Sequence, residues 1–132
     1  IEKIEFLNIP SAENSVLLLW ATAPKLQEAL HVMQSWNFEY KTHMIWDKEF
    51  IGMGYWFRGR HELLLIGIKG EFSPPEESVR VPSTYKEKRT EHSKKPDYFY
   101  HMIEQYFPTG KYLELFARQK FNEKWTVWGN QI

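Results

Sequence analysis

The chain has 132 residues, 42% of them apolar, which suits one domain of ordinary size with a buried core and excludes disorder as its main state. Seventeen basic side chains balance seventeen acidic ones, so the chain as a whole has no histone-like attraction for polyanions and any nucleic-acid affinity must be local. With no cysteine, a disulfide framework, a zinc-thiolate finger and a cysteine nucleophile are excluded together.

No apolar run approaches the ~18–20 residues that span a bilayer. The beginning also lacks the charged-then-apolar plan of a secretion signal. The expected location is therefore cytoplasmic, or nuclear in a eukaryote. The chain opens on Ile1, and Ile1, Ile4 and Leu7 fall at helical spacing as if an element were already under way. Missing upstream sequence is the expectation.

A turn is expected at Pro10 to Asn14. Val16-Leu17-Leu18-Leu19-Trp20 is a short continuous apolar run, the pattern of a strand covered on both faces. Thr22 or Ala23 can cap a helix with Pro24 as its first residue, and Leu26, Ala29, Leu30, Met33 and Trp36 form its apolar stripe. Asn37 closes that helix. Phe38 to Trp46, rich in aromatic and β-favouring residues, predicts a second strand. Strand, helix, strand implies a parallel crossover.

Gly52-Met53-Gly54-Tyr55-Trp56-Phe57-Arg58-Gly59 mixes glycine with aromatics and is expected to be a loop holding large side chains at a surface. His61 to Lys69 predicts the next strand, ended by Gly70. From Glu71 to Lys95 there is proline, serine and charge without apolar period, longer than the ~12–15 residues at which structureless loops become uncommon. It is expected to be a mobile active-site loop. Residues 80–95 carry a net charge of +4 and the rest of the chain −4, so charge is separated although the total is zero.

Ser93 or Asp97 can cap a further helix with Tyr98, Met102, Ile103 and Tyr106 inward, stopped by Pro108-Thr109-Gly110. Tyr112 to Ala117 predicts a strand, and Trp125 to Trp128 a last one. There is no internal repeat. The alternation predicts an α/β fold with a mainly parallel sheet and helices on both faces, within one domain.

In such sheets ligands bind beyond the carboxyl ends of strands. The informative residues are therefore Thr22, Lys48 to Arg60, Lys69 to Lys95, and Arg118 to Asn122. A basic loop beside Tyr55, Trp56 and Phe57 can hold phosphates on its cations and stack a splayed base on its rings, contacts worth ~1–3 kcal/mol per base. The competing reading makes the rings core and the charges a solvated loop. His61 and Glu62 are neighbours on a strand and point to opposite faces, so they do not share a proton path. His31, His43, His92 and His101 have no ligand spacing, and no metal site is expected. Gly52-x-Gly54 is not a dinucleotide fingerprint, and the common hydrolase and kinase signatures are absent.

Several strings occur in order along the chain. They are Leu17-Leu18-Leu19-Trp20-Ala21-Thr22, Trp36-Asn37-Phe38-Glu39-Tyr40-Lys41, Gly54-Tyr55-Trp56, His61 through Gly70, Lys95-Pro96-Asp97, Leu113-Glu114-Leu115-Phe116-Ala117-Arg118 and Trp128-Gly129-Asn130. Together they resemble the adenine N6-methyltransferases of the MT-A type, or MT-A70-like proteins, over nearly the whole chain. The resemblance implies a Rossmann-like fold using S-adenosylmethionine to methylate the exocyclic amine of adenine, in DNA by preference, with RNA as the alternative acceptor. A homo- or heterodimer is compatible with it.

By matching strings, the resemblance implies that Lys95 holds the methionine carboxylate of the cofactor. Glu114, Phe116 and Arg118 would line its adenosine pocket, and Asn130 and Gln131 would bond its ribose and adenine. Trp56, Arg58, Glu62 and Ser93 match loops bordering the acceptor base, while Lys86, Lys88 and Arg89 are the phosphate-holding candidates of the basic segment. Other readings stay open: Phe116 as core, Glu62 as a strand-anchoring carboxylate, Arg118 as a surface ion pair. One departure stands out. The family's catalytic Asp-Pro-Pro-Trp is absent from these 132 residues, and Pro74-Pro75, between Ser73 and Glu76, cannot replace it. In relatives that motif lies upstream of the Leu-Leu-Trp strand. A truncated or disordered start is one explanation; a non-catalytic nucleic-acid-binding partner subunit is the other.

Overall fold

The computed structural model describes residues 14–90 and 95–108, and the backbone of two strands at 112–115 and 125–128. Four strands, β1 (Ser15–Ala21), β2 (Glu39–Asp47), β3 (His61–Lys69) and β4 (Thr84–Lys86), form one sheet in the order β1-β3-β2-β4. Helix α1 (Leu26–Ser35) joins β1 to β2. A second helix, α2 (Asp97–Tyr106), belongs with residues 75–80 and a two-stranded parallel sheet, β5 (Tyr112–Leu115) and β6 (Trp125–Trp128), in a separate unit.

The α/β expectation is met, with one difference in strand pairing. β1, β2 and β4 run in one direction, but β3 runs against them and is hydrogen-bonded between β1 and β2. The direction of the β1–α1–β2 crossover is as expected, whereas its two strands are not neighbours. The reason is the chain after β2. Residues 48–60 turn back on themselves, with Lys48 N–H donating to the Arg60 carbonyl at 2.8 Å and Gly52 N–H to the Gly59 carbonyl at 2.8 Å. That return makes β2 and β3 a long-looped hairpin, which only antiparallel strands allow.

β3 is central and continuously apolar, and Leu63, Leu64 and Leu65 are all buried, as expected for a strand covered on both faces. Alternation splits it. Leu63, Leu65 and Gly67 face one side, while Glu62, Leu64 and Ile66 face the other. On the first side Gly67 lies against Met33 of α1. On the second, Leu64 stands between Trp20 of β1 and Met44 of β2 in register, and Trp20 meets Trp46 edge to face at 5.9 Å. Among these, the fully buried Leu64, Leu65 and Met33 each contribute about 1.5–3 kcal/mol.

α1 begins as Pro24 allows, through a 3₁₀ turn at Ala23–Lys25 preceded by Thr22. Ala29, Val32 and Met33 are its buried residues and Trp36 follows them inward, so Val32 joins the expected stripe, in which Leu26 and Leu30 are only half-buried. Its end is a Schellman motif: Asn37 sits at φ 68°, Phe38 N–H bonds the Met33 carbonyl at 3.0 Å, and Asn37 N–H bonds that of Gln34 at 2.9 Å. Buried Phe38 and Met33 supply the accompanying apolar contact positions.

The segment from Glu71 onward is more ordered than its composition predicts. A 3₁₀ turn forms at Glu77–Val79, and β4 pairs in parallel with Ile45, Trp46 and Asp47. Within the stretch expected to be a mobile active-site loop, the exposed edge of β2 offers unpaired backbone groups that Thr84–Lys86 satisfies. α2 takes Pro96 as its cap residue, with Asp97 in the first turn rather than at the cap. Phe99 and Met102 are its buried residues, so Phe99 replaces Tyr98 on the inward face. Among the described residues no helix is long and apolar enough to cross a membrane.

Candidate functional site

Register places the carboxyl ends of β1, β2 and β4 at one end of the sheet: Ala21 pairs with Leu63, Asp47 with His61, and Lys86 with Asp47. Thr22, the 48–60 loop and residues 87–89 all leave from that end. Because β3 is reversed, its own carboxyl end, Lys69 and Gly70, lies at the opposite end. The chain returns through β4 to bring the basic segment back to the site end.

The 48–60 loop carries an apolar tip. Met53, Tyr55, Trp56 and Phe57 are almost wholly exposed, Trp56 to 91%, and Phe50 and Ile51 are about half exposed. The reading of these rings as core is therefore excluded. The tip turns tightly: a Cβ on Gly54 would lie 2.1 Å from the Phe57 carbonyl oxygen, so only glycine fits. Arg58 is also exposed on this loop.

At the loop's neck three consecutive residues each take a different partner. Asp47 accepts two hydrogen bonds from the Arg60 guanidinium, from Nε at 2.9 Å and Nη2 at 2.8 Å. Lys48 reaches Glu62 of β3 at 3.3 Å, and Glu49 pairs with Lys86 of β4 at 3.9 Å. Asp47 also accepts from the Glu49 N–H at 3.0 Å. Glu49 has φ 56°, a left-handed backbone costing a non-glycine residue about 1–2 kcal/mol. The Arg60 hydrogen bonds first, and then the Glu49 N–H, hold the Asp47 carboxyl below its ordinary pKa, and Asp47 raises that of Arg60.

The basic segment is fastened to the same neck. Trp46 Nε1 donates to the Glu87 carbonyl at 2.8 Å, Glu87 N–H donates to the Asp47 carbonyl at 3.1 Å, and the Tyr85 hydroxyl donates to the Glu87 carboxylate. The Arg89 guanidinium lies over the Phe50 ring, 4.1 Å from its centroid, within range of a cation–π contact. Cations and aromatic loop thus form one surface.

Of the residues named for the acceptor, Trp56, Arg58, Lys86, Lys88 and Arg89 are exposed at this end of the sheet. Glu62 is half-buried with Lys48 as partner, so its strand-anchoring role has a visible counterion. Ser93 lies outside the described residues. For the cofactor, Lys95 is half-buried just before α2, and Glu114 is on β5. Phe116, Arg118, Asn130 and Gln131 lie outside the described residues. β5 and β6 pair in parallel, with Leu115 opposite Trp128. Among the described residues no group of His, Asp or Glu could hold a metal. Sequence reasoning named the Lys48 to Arg60 stretch as a whole but gave no role to Glu49, Phe50 or Arg60 within it, and it left out Asp47. Opposite charges at the two mouths of an aromatic loop between strand patterns were the available signal.

A family model described as MT-A70 matches residues 1–131. Among curated relatives, the Type II methyltransferase M.MunI of Mycoplasma sp is 32% identical over 135 residues, covering 100% of this chain and 58% of the relative. The N(6)-adenosine-methyltransferase MT-A70-like protein of Arabidopsis thaliana is 28% identical, covering 99% of this chain and 20% of the relative. The human N(6)-adenosine-methyltransferase catalytic subunit METTL3 is 28% identical, covering 99% and 24%. The chain thus spans from about a fifth to somewhat over half of these relatives' lengths.

Proposed function

This chain belongs to the MT-A70 family, and we propose that it is the methyltransferase domain of an enzyme moving a methyl group from S-adenosylmethionine to the N6 amine of adenine in nucleic acid. The observation that carries the reading is the family match over residues 1–131. DNA is the proposed acceptor. RNA is the second reading, favoured by the word adenosine in the names of the Arabidopsis and human relatives.

S-adenosylmethionine brings an already electrophilic sulfonium methyl, so the protein's main task is placement. An aromatic amine is a weak nucleophile because its lone pair is delocalised into the ring. Holding donor and acceptor in line can supply up to ~7–11 kcal/mol. In this proposal Lys95 binds the cofactor's carboxylate as a compact point charge. Glu114, Phe116 and Arg118 line its adenosine pocket, and Asn130 and Gln131 hydrogen-bond the ribose and adenine.

The acceptor side falls to the exposed end of the sheet. Trp56 and Arg58 border the base, with Glu62 and Ser93, while Lys86, Lys88 and Arg89 hold phosphates. A duplex adenine must leave its stack at a cost of a few kcal/mol, and exposed rings beside cations offset that cost by stacking and charge. A homo- or heterodimer fits the reading.

Incubation of the complete encoded protein with labelled S-adenosylmethionine and adenine-containing DNA or RNA, followed by nucleoside analysis, tests the proposal. N6-methyladenine in DNA is the expected product. Product only in RNA selects the second reading. Binding of either polymer without transfer leaves the chain as a non-catalytic partner subunit.

A further inference from the structure

The neck of the 48–60 loop has a construction that stacking and phosphate binding do not themselves require. Asp47 ends β2, and its carboxylate has two tasks: it receives the Arg60 guanidinium across the hairpin and the Glu49 N–H two residues ahead. The second bond spans the residue step at which the backbone turns left-handed, φ 56° at Glu49. A glutamate has no side-chain preference for that conformation, so something must hold it there. The Asp47 carboxylate does, and Arg60 fixes the carboxylate's own orientation by a two-point grip.

The direction in which the chain leaves the sheet at Glu49 decides where the tip residues arrive. Beyond it, the Lys48 N–H to Arg60 carbonyl bond and the Gly52 N–H to Gly59 carbonyl bond keep the two arms together, and Gly54 closes against the Phe57 carbonyl. The tip rings are exposed, and packing does not place them. Glu49 meanwhile reaches Lys86, so the same step also sets the loop against the basic strand.

We propose that Asp47 and Arg60 are a positioning pair: by holding Glu49 in its left-handed turn they aim the Tyr55–Trp56–Phe57 tip at the acceptor, without touching acceptor or cofactor themselves. The inference rests on the reading of this end of the sheet as the acceptor side. Arg60 is exposed and Asp47 half-buried at the loop's neck, outside the core, so their removal leaves the buried core intact and costs the fold little.

The test compares Asp47→Ala, Arg60→Ala and Asp47→Ala combined with Glu49→Gly. Glycine adopts the left-handed turn without help, so the double variant recovers the geometry though the ion pair stays absent. Affinity for a single-stranded adenine-containing oligonucleotide is expected to fall about five- to tenfold in each single variant, the scale of a displaced contact group. The melting temperature should fall only by the small contribution of one surface ion pair, S-adenosylmethionine affinity should stay near wild type, and Glu49→Gly should recover most of the oligonucleotide affinity lost in Asp47→Ala. Single variants that bind like wild type, or a double variant no better than Asp47→Ala, overturn the pair's role.

Hydrogen exchange reads the device without an acceptor. The amides of Lys48 and Gly52 should exchange faster in Asp47→Ala and be slowed again by Glu49→Gly; unchanged exchange in Asp47→Ala rejects the positioning role. If the wild-type protein binds no oligonucleotide while exchange behaves as expected, the acceptor-side reading fails and the neck's construction stands.

Discussion

Gly67 of β3 and Met33 of α1 meet so closely that a Cβ on the glycine would lie 2.7 Å from the methionine sulfur and 3.1 Å from its Cγ and Cε. Met33 is 1% exposed, and its side chain has little room to withdraw. Gly67→Ala should therefore destabilise the protein by about 1–3 kcal/mol through overpacking, although alanine has the better strand propensity. Denaturant unfolding checks this. A companion Met33→Ala, which opens the space, should make Gly67→Ala far less costly; equal cost in both backgrounds contradicts the contact.

The end of α1 supplies a second test. Asn37 occupies the left-handed position of the Schellman motif at φ 68°, where glycine is free of strain and asparagine is tolerated. Asn37→Gly should be neutral or stabilising by a few tenths of a kcal/mol, whereas Asn37→Val should cost about 1–2 kcal/mol. Thermal melts of the pair against wild type show which ordering holds.

These two positions also show what the chain discloses by itself. The apolar run at Leu63–Leu65 identifies a strand covered on both faces, and the strand boundaries His61 and Lys69 are where the run and Gly70 place them. Asn37 announces the helix stop, because asparagine is among the few residues that tolerate the left-handed position ending a helix. What remained hidden was pairing. Nothing in β1 or β2 says that β3 inserts between them; that follows from the 48–60 return, and a glycine-aromatic loop looks the same whether it joins a hairpin or two separate strands. β4 was hidden for the opposite reason: Thr84, Tyr85 and Lys86 have no apolar pattern, and only the vacant edge of β2 recruits them. The stretch from Lys48 to Arg60 is marked in the sequence, but the neck's pairing is not, because Asp47, Glu49 and Arg60 are ordinary surface residue types whose meaning comes from the partners the hairpin gives them.

The Asp47 carboxyl makes stability depend on acid. Its folded pKa lies below the ordinary 3.8, chiefly through the Arg60 hydrogen bonds. Above the ordinary value the carboxylate is charged in folded and unfolded chains alike, and its contribution is complete. As the pH falls below it, the unfolded chain takes up the proton first, and the contribution is lost by the time the pH passes below the folded value. The stability difference between wild type and Asp47→Asn, followed from pH 7 downward, should hold steady until about pH 4 and then shrink toward zero. A gap that persists at the acid end would show that the charge is not what Asp47 contributes.

Under the proposed function, Lys95 and Asn130 allow the cofactor side to be tested apart from the acceptor side. In the complete protein, Lys95→Ala and Asn130→Ala should each weaken S-adenosylmethionine binding by about tenfold or more, as expected when a charge-assisted or buried hydrogen bond is removed, while oligonucleotide affinity stays near wild type. Calorimetry with cofactor alone decides the matter. Unchanged affinity in both variants would remove these residues from the cofactor site.

On the proposed acceptor side, rings and cations should fail in distinguishable ways. Trp56 is 91% exposed, so Trp56→Ala should leave the melting temperature unchanged. It should still weaken single-strand binding by about 1–3 kcal/mol, the stacking loss of one base, at every salt concentration. Charge reversal at Lys86, Lys88 and Arg89 would remove the proposed phosphate contacts instead. It should flatten the dependence of log affinity on log salt by about 0.7 for each lost contact on a single strand, so that the variant falls furthest below wild type in dilute buffer. Arg89 is the instructive member of the three, because its guanidinium lies over Phe50 and cannot leave without disturbing the loop's base. Reversal there should therefore lower affinity at high salt as well, whereas reversal at Lys88 should act only through the slope. Titrations at several salt concentrations resolve the two patterns, and identical behaviour of Arg89 and Lys88 would mean that the basic segment and the aromatic loop bind independently.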